Sequence, residues 1–352
     1  MAEAFSSVGL LMAAATSVSN VIKDVGAKKV VDAHEVVAAT FWIRLIAAFV
    51  FVGALVVRAL MGHPPALRQT EPLFGVFNVA PFFVWLFWLT LDVVLVACNT
   101  LIYFRALQLT PISLCMPYIS FTPVFLLYTN RVMNNETITL SATVGVLLIF
   151  VGSFVMHRQL FAQGWLEPIK AIWRERGCFL MLVAGFVNAL TNPIDKKLVS
   201  MTDPFTQACA FGLGMALFFS LLSAARGADL KKVMRAVPQW VVLAGVLEAV
   251  ALIFQLASHN YIQVVITISI KRAGIILTVL LGWLVFKEKD IGDKLIAASV
   301  MLVGVLIIYL KLTLAQSFAL AALGLIGMSI ALALTGKRIK EPMPQLGGEQ
   351  KQ

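Results

Sequence analysis

The chain has 352 residues, of which 60% are hydrophobic and 13% are charged, and its mean hydropathy is +0.90. An average soluble protein carries about 25% charged residues, so this composition excludes a soluble fold and indicates an integral membrane protein. The formal net charge is +10. It does not indicate nucleic-acid binding, because the basic residues lie mostly in short connections and in the C-terminal tail, as in polytopic membrane proteins.

Apolar runs long enough to cross a bilayer recur from one end of the chain to the other. A membrane-spanning helix needs about 20 mainly apolar residues, and eleven runs approach this length or exceed it; we number these predicted spans in chain order. They lie at about residues 6–25, 36–58, 78–106, 111–128, 138–156, 178–197, 204–224, 238–258, 263–286, 291–310 and 315–335. The sequence therefore predicts an all-α integral membrane fold.

The two halves of the chain repeat each other. Segment 19–24 of the first span and segment 191–196 of the sixth each contain a hydroxyl residue, an amide, a gap of two residues and an acid–base pair. In the third and eighth spans a carboxylate precedes an amide by seven residues, about two helical turns, which places both side chains on one helix face. These residues are Asp92 and Asn99 in the third span, and Glu248 and Gln255 in the eighth.

The end of each half repeats as well. Glu136 precedes Gly152 by sixteen residues, and Glu288 precedes Gly304 by the same number. Each repeat holds five spans, an odd number, so the second copy must enter the membrane upside-down relative to the first. Inverted repeats with a site at the membrane midplane are a recurring architecture of secondary transporters. We therefore predict a ten-helix bundle of two inverted five-helix repeats, followed by one extra C-terminal helix.

This prediction divides the chain into four segments. The first five-helix repeat covers 1–157 and the second covers 177–310. An extra transmembrane helix follows at 311–336, and a polar tail occupies 337–352.

Lys271 and Arg272 lie next to each other near the middle of the ninth span. A cation at the centre of a membrane helix costs about 2.5–3.5 kcal/mol on insertion scales. Two adjacent cations persist there only if they face a wet cavity, a counter-ion or an anionic substrate. A salt bridge between helices is one explanation, and a site for a negatively charged ligand is the other. Phosphate suits the pair, because Arg offers a planar fork and Lys a compact charge.

Other polar residues within the spans are candidates for the same cavity. Arg44 in the second span is a further buried cation, and the matching stretch of the seventh span has no counterpart. Asymmetry between repeats often marks a ligand site, so we expect Arg44 to face the cavity. Amide side chains in the spans can either hydrogen-bond a ligand or brace the helices. They are Asn20, Asn99, Asn192 and Gln255.

The intramembrane carboxyl groups of Asp92 and Glu248 have three interpretations. They can neutralise the buried cations, titrate as proton-coupling groups, or repel the wrong anions. Since the eighth and ninth spans are neighbours in sequence, we expect Glu248 to approach Lys271 and Arg272.

The pattern of an apolar helix, a short turn with Glu136 or Glu288, and a glycine-containing final helix resembles the drug/metabolite transporter superfamily, in its EamA-like branch. The resemblance covers about residues 5–310. Within that superfamily, the Lys271–Arg272 pair is similar by helix and order to a lysine–arginine pair of triose-phosphate/phosphate translocators and nucleotide-sugar transporters. The resemblance implies that this pair lies at a central site, where its counterparts meet phosphate.

Three functions fit these features. The first is a secondary transporter that moves a small anionic metabolite, phosphorylated compounds included, by alternating access. The second is a flippase for a lipid with an anionic headgroup, and the third is an exporter of neutral drugs or metabolites. An enzyme is not expected, because the four histidines are scattered and neither HExxH nor G-x-S-x-G is present.

The expected partners are a small anionic substrate and membrane lipids, without nucleic acid, cofactor or metal. No Walker motif points to ATP. Proton coupling, exchange coupling and homodimer formation stay open. We expect the protein in the inner or plasma membrane of the cell.

The distribution of Lys and Arg predicts the orientation. The connections after the odd-numbered spans, together with the C-terminal tail, hold 18 of these residues, and the connections after the even-numbered spans hold 6. Cytoplasmic connections carry the excess of positive charge, so the charges place the N-terminus outside and the tail in the cytoplasm. The superfamily resemblance instead implies a cytoplasmic N-terminus.

Overall fold

The computed structural model describes residues 6–33, 36–68, 80–110, 115–155, 167–274, 277, 292–310 and 312–335. Within these ranges the chain folds into α-helices and one 3-10 helix, Met116–Phe121. The helices are α1 Ser7–Ala33, α2 Val36–Leu60, α3 Pro81–Leu109, α4 Thr122–Asn134, α5 Leu140–Val155, α6 Glu167–Arg174, α7 Arg176–Met201, α8 Pro204–Arg226, α9 Leu230–Ala236, α10 Pro238–Ser258, α11 Val264–Ala273, α12 Gly292–Tyr309 and α13 Leu314–Thr335.

Six of the described helices are long and apolar enough to cross a membrane, namely α2, α3, α7, α8, α10 and α13. Shorter apolar stretches lie in α1, α5 and α12. The chain is thus a multi-pass, all-α integral membrane protein, as its composition predicted. Glu288 and the tail 337–352 lie outside the described residues, as does the predicted ninth span beyond Gly274, apart from residue 277.

Two details of the elements differ from the sequence analysis. The described part of the predicted fourth span contains the 3-10 helix Met116–Phe121 before α4, and both helices have a proline in their first turn, where the missing N–H costs least. In addition, α6 and α9 are short helices in connections for which no helix was predicted.

The helices pack in a pattern with approximate two-fold symmetry. Helix α3 of the first repeat packs on α7 of the second, and the equivalent α10 of the second repeat packs on α1 of the first. In the same way, the contact of α4 with α7 matches that of α11 with α1. Two pairs of equivalent helices, α2 with α8 and α5 with α12, pack on each other. This is the arrangement expected when two copies of one five-helix unit face each other.

The crossing of α5 and α12 shows the symmetry at the level of single residues. A Cβ atom added to Gly145 would lie 2.7 Å from the carbonyl oxygen of Gly304. A Cβ atom added to Gly152 would lie 2.9 Å from the carbonyl oxygen of Ala297. If Gly152 is equivalent to Gly304, Gly145 is equivalent to Ala297, so these two close approaches are related by the repeat. Glycine is needed here because the backbones touch.

Pro193 lies inside α7, which contributes several polar residues described below. Proline has no N–H group, so the carbonyl four residues earlier, that of Ala189, loses its helical donor. The hydroxyl of Thr129 on α4 donates to this oxygen at 2.6 Å. Asn134 Nδ2 on the same helix donates to the carbonyl oxygen of Pro193 at 3.1 Å. Two side chains of α4 therefore hold the proline-containing part of α7 in place.

Candidate functional site

Lys271 belongs to a chain of polar contacts that joins three helices. It lies near the end of α11, and its Nζ atom donates to Oε1 of Gln255 on α10 at 2.7 Å. Gln255 Nε2 in turn donates to Oδ1 of Asn192 on α7 at 3.1 Å. Gln255 and Asn192 are both buried. The structure thus brings together three residues that the sequence analysis selected from three different spans.

A second polar contact extends this chain towards α3. Asn192 Nδ2 donates to the backbone oxygen of Asn188, one turn earlier on α7, at 2.5 Å. Asn99 Nδ2 on α3 donates to Oδ1 of Asn188 at 2.9 Å. Asn188 was not among the residues predicted from the sequence. Its position four residues before Asn192, on the same helix face, was the signal that could have identified it.

Asp92 and Asp195 place two carboxyl groups beside each other where α3 packs on α7. Asp92 has no exposed surface and Asp195 is 8% exposed. The two side chains are close enough to hydrogen-bond, and Lys271 lies within electrostatic range of Asp195. No hydrogen-bond donor among the described residues reaches either oxygen of Asp92. Asp195 belongs to segment 191–196, which indicated the repeat, but its contact with Asp92 was not predicted from the sequence.

Glu248 lies within electrostatic range of Lys271, as expected, and it has two direct cationic partners on other helices. One oxygen accepts from Arg44 on α2, and the other lies 3.0 Å from Nζ of Lys23 on α1. Lys23 also donates to Oδ1 of Asn20 at 2.9 Å. Arg44 was expected to line the cavity with the Lys271–Arg272 pair, and the structure places it on Glu248. Asn20 braces this cluster, since its amide donates to the backbone oxygen of Thr16.

Arg272 follows Lys271 on α11, and both side chains are partly buried. Adjacent positions on a helix point about 100° apart. The two cations therefore address different neighbours, with Lys271 directed at Gln255.

Glu136 follows α4 and forms a surface cluster of its own. It is ion-paired with Lys196 on α7, and Asn130 Nδ2 donates to its second oxygen at 2.5 Å. Asn134 donates to Asn130 at 2.9 Å. These contacts tie the turn after α4 to α7.

Comparison with known proteins places this arrangement in context. Residues 7–158 and 175–310 match the EamA-like transporter family. A curated relative from Enterobacter sp. (strain 638), "Probable 4-amino-4-deoxy-L-arabinose-phosphoundecaprenol flippase subunit ArnE", is 38% identical over 69 residues. That match covers 20% of this chain and 64% of the relative, so the chain spans less than two thirds of it. A solved structure titled "Crystal structure of protein" shares the fold, with a TM-score of 0.67 at 16% identity, covering 87% of this chain and 98% of the other.

Proposed function

Since this chain belongs to the EamA-like transporter family, we propose that it is a secondary transporter for a small anionic metabolite, phosphorylated compounds included. The observation that carries the proposal is the position of Lys271, whose ammonium group is held by the neutral amide of Gln255 within a buried polar chain. The amide oxygen carries no net charge, so an anion that replaces it adds a direct attraction between opposite charges.

A lipid with a phosphate headgroup is the second candidate substrate. It rests on the 38% identity to a relative whose printed name is that of a phosphoundecaprenol flippase subunit. The same lysine and arginine would hold the phosphate of such a lipid, while the lipid tail stays outside the bundle. The two candidates therefore differ in the tail and share the headgroup chemistry.

Ligand-dependent thermal unfolding of the purified protein tests both candidates. Inorganic sulfate, a hexose phosphate and undecaprenyl phosphate are added separately, because a ligand that binds the folded state raises its stability. We expect the hexose phosphate to stabilise the wild type, and Lys271→Gln to weaken its binding by about ten- to a hundredfold. Arg272→Lys should also weaken binding, since a point charge cannot reproduce the bidentate fork.

Lys232→Gln is the matched control, because Lys232 is an exposed lysine on α9. It should leave the affinity unchanged. Stabilisation by undecaprenyl phosphate alone would favour the lipid. Unchanged affinity in a folded Lys271→Gln/Arg272→Gln double variant would contradict the anion site.

A further inference from the structure

We propose that Asp92 and Asp195 form a proton-binding site that shares a single proton and couples its uptake to anion binding beside Lys271. This inference rests on the proposed function for its coupling part, whereas the proton site itself can be tested without any substrate. It gives the transporter a driving ion and a direction of coupling.

The geometry of the two carboxyl groups requires a proton. A carboxylate offers only acceptor atoms, so two carboxylates cannot hydrogen-bond to each other unless one of them is protonated. Asp92 has no exposed surface, and no other described group donates to its oxygens. Two adjacent charges without donors would be strongly repulsive at such a buried position. One shared proton removes the repulsion and supplies the hydrogen bond.

The repeat provides an equivalent contact with which the Asp92–Asp195 pair can be compared. Asp92 on α3 is equivalent to Glu248 on α10, and Asp195 on α7 is equivalent to Lys23 on α1. Where α10 packs on α1, the pair is a carboxylate and an ammonium group 3.0 Å apart. Where α3 packs on α7, an aspartate occupies the position of the ammonium group. Each pair joins the two repeats, and one of these equivalent contacts holds a fixed ion pair while the other needs a mobile proton.

The other charged side chains near Asp92 and Asp195 have contacts of their own. On α7 itself, Lys196 pairs with Glu136, and Lys197 lies over the ring of Trp88 at 4.6 Å. From α11, Lys271 faces Asp195. His259, in the turn after α10, is buried and lies within electrostatic range of Lys196 and Lys271. Among the described residues, no charged side chain of α8 or α4 forms an ion pair with either aspartate.

The sign of the coupling follows from the charges. With the shared proton the pair carries one negative charge, and without it two. The second negative charge attracts Lys271 and repels an anion bound beside it. Anion binding and protonation therefore favour each other, so the proton and the anion move in the same direction. Since linkage is reciprocal, a lower pH must strengthen anion binding by the same factor by which the anion strengthens proton binding.

The first experiment detects the proton without a substrate. Infrared difference spectra of the purified protein, recorded across a pH titration, report the carbonyl stretch of a protonated carboxyl group. We expect this band in the wild type near neutral pH and its loss in Asp92→Asn and in Asp195→Asn. Asp203→Asn is the control, because the Asp203 carboxylate is ion-paired with Arg58 and accepts from the Thr206 hydroxyl. A wild type without the band, or folded aspartate variants that retain it, would overturn the proton site.

The second experiment measures coupling with inorganic sulfate, a probe that stays a dianion near neutral pH. From about pH 8 to about pH 6, we expect sulfate affinity in the wild type to rise about tenfold. Asp92→Asn mimics the protonated pair, so it should bind with the higher affinity at both pH values. His259→Gln should keep the wild-type response, which excludes the histidine as the titrating group.

The outcomes separate the two proposals. Sulfate affinity that does not change with pH, with no carboxyl band in the wild type, would overturn the proton coupling and leave anion transport standing. If neither sulfate nor a hexose phosphate binds at any pH, the anion proposal fails, and the infrared band still decides whether the two aspartates share a proton. The wild-type measurements need no variant, so a misfolded variant does not remove the test.

Discussion

Glu248 and Asp92 occupy equivalent positions in the two repeats, but they face different neighbours. Glu248 meets Arg44 and Lys23, and Asp92 meets another carboxyl group. The role of an intramembrane carboxyl group is set by the side chain that packs against it. For Glu248 the contacts favour the charge-neutralising interpretation, and for Asp92 they favour proton binding.

Glu248→Gln tests this difference. The change leaves Arg44 and Lys23 partly buried without their shared carboxylate, and breaking such a pair typically costs about 3–5 kcal/mol. We expect a large drop in thermal stability, measured by unfolding in detergent. The double variant Arg44→Gln/Glu248→Gln should recover part of it, because one uncompensated cation is removed. A fully stable Glu248→Gln that has lost only proton-driven transport would contradict this expectation.

Asp203 lies outside the membrane-spanning helices, and its contacts indicate how the stability of the fold depends on pH. It caps α8 by accepting from the N–H groups of Phe205 and Thr206, and Arg58 lies 2.5 Å away. Burial raises the pKa of Asp203, but hydrogen bonds from Thr206 and Arg58 outweigh it and hold the pKa below the usual 3.8. A lowered pKa stabilises the fold above the unfolded-state value, and this stabilisation is lost as the pH falls through the folded-state value.

We therefore expect Asp203→Asn, which keeps the cap but removes the charge, to cost about 1 kcal/mol near neutral pH. The difference from the wild type should shrink below about pH 4. Thermal unfolding across this range measures it. Asp229→Asn, at the exposed cap of α9, is the control and should change little at any pH. A cost for Asp203→Asn that is the same at acid and neutral pH would contradict the assignment.

Part of the site could be predicted from residue types alone. Lys271, Gln255 and Asn192 were selected because polar side chains in apolar spans need partners, and they contact each other. The position of Arg44 and the pairing of Asp195 could not be predicted. Both depend on which faces of distant helices meet, and spacing along one helix does not determine that.

At the scale of helices, α7 depends on a side chain from its neighbour. Thr129→Val removes the hydroxyl that donates to the Ala189 oxygen left free by Pro193. A buried acceptor without a donor costs about 1–3 kcal/mol, and we expect a loss of stability in this range. In a Pro193→Ala background the backbone N–H can replace the hydroxyl, so the cost of Thr129→Val should fall to near zero. Thermal unfolding of the four proteins in this double-mutant cycle measures the coupling.

Thr143→Val is the control for that cycle, because the Thr143 hydroxyl donates only within its own helix end, to Thr139. It should show no dependence on Pro193. If the cost of Thr129→Val is equal with and without the proline, the hydroxyl does not compensate for it.

The crossing of α5 and α12 gives a second prediction at this scale. Gly145→Ala and Gly304→Ala would each push a Cβ atom to within 2.7 Å of a backbone oxygen on the other helix. Forced overpacking of this kind costs about 1–3 kcal/mol, and thermal unfolding should show it. Gly53→Ala on α2 is the control, since nothing lies within 4 Å of its Cβ position. It should be neutral or slightly stabilising. If alanine changes the stability equally at all three positions, α5 and α12 do not cross as closely as the structure shows.

The helices could be located from the sequence because burial in lipid requires long apolar runs, and such runs are easy to recognise. The short helices α6 and α9 were missed because seven or eight residues in a connection carry too weak a periodic signal. The 3-10 helix within the fourth span was not predicted for a different reason. Pro117 and Pro123 fit the first turn of either kind of helix, so they do not specify which form the backbone takes.

At the scale of the whole molecule, duplication explains both the packing and the charge asymmetry. Two copies of one unit give equivalent contacts, such as α3 with α7 and α10 with α1. Different residues at equivalent positions then separate the roles of these two contacts. The ion pair of Lys23 and Glu248 fixes α1 to α10, and the carboxyl pair between α3 and α7 can change its charge. A change of charge at one contact shifts the balance between two conformations when it stabilises one of them more than the other.

The orientation of the molecule is the last prediction. The excess of Lys and Arg lies in the connections after the odd-numbered spans, which include α9, and positive charge marks the cytoplasmic side. His63 and Lys232 are exposed residues in connections on opposite sides of this assignment. In intact cells, a membrane-impermeant thiol reagent should label His63→Cys but should label Lys232→Cys only after permeabilisation. The protein without either substitution gives the background, to which the exposed Cys98 contributes more than the buried Cys115, Cys178 and Cys209. The reverse labelling pattern would show that the superfamily resemblance, and not the charge count, predicts the orientation.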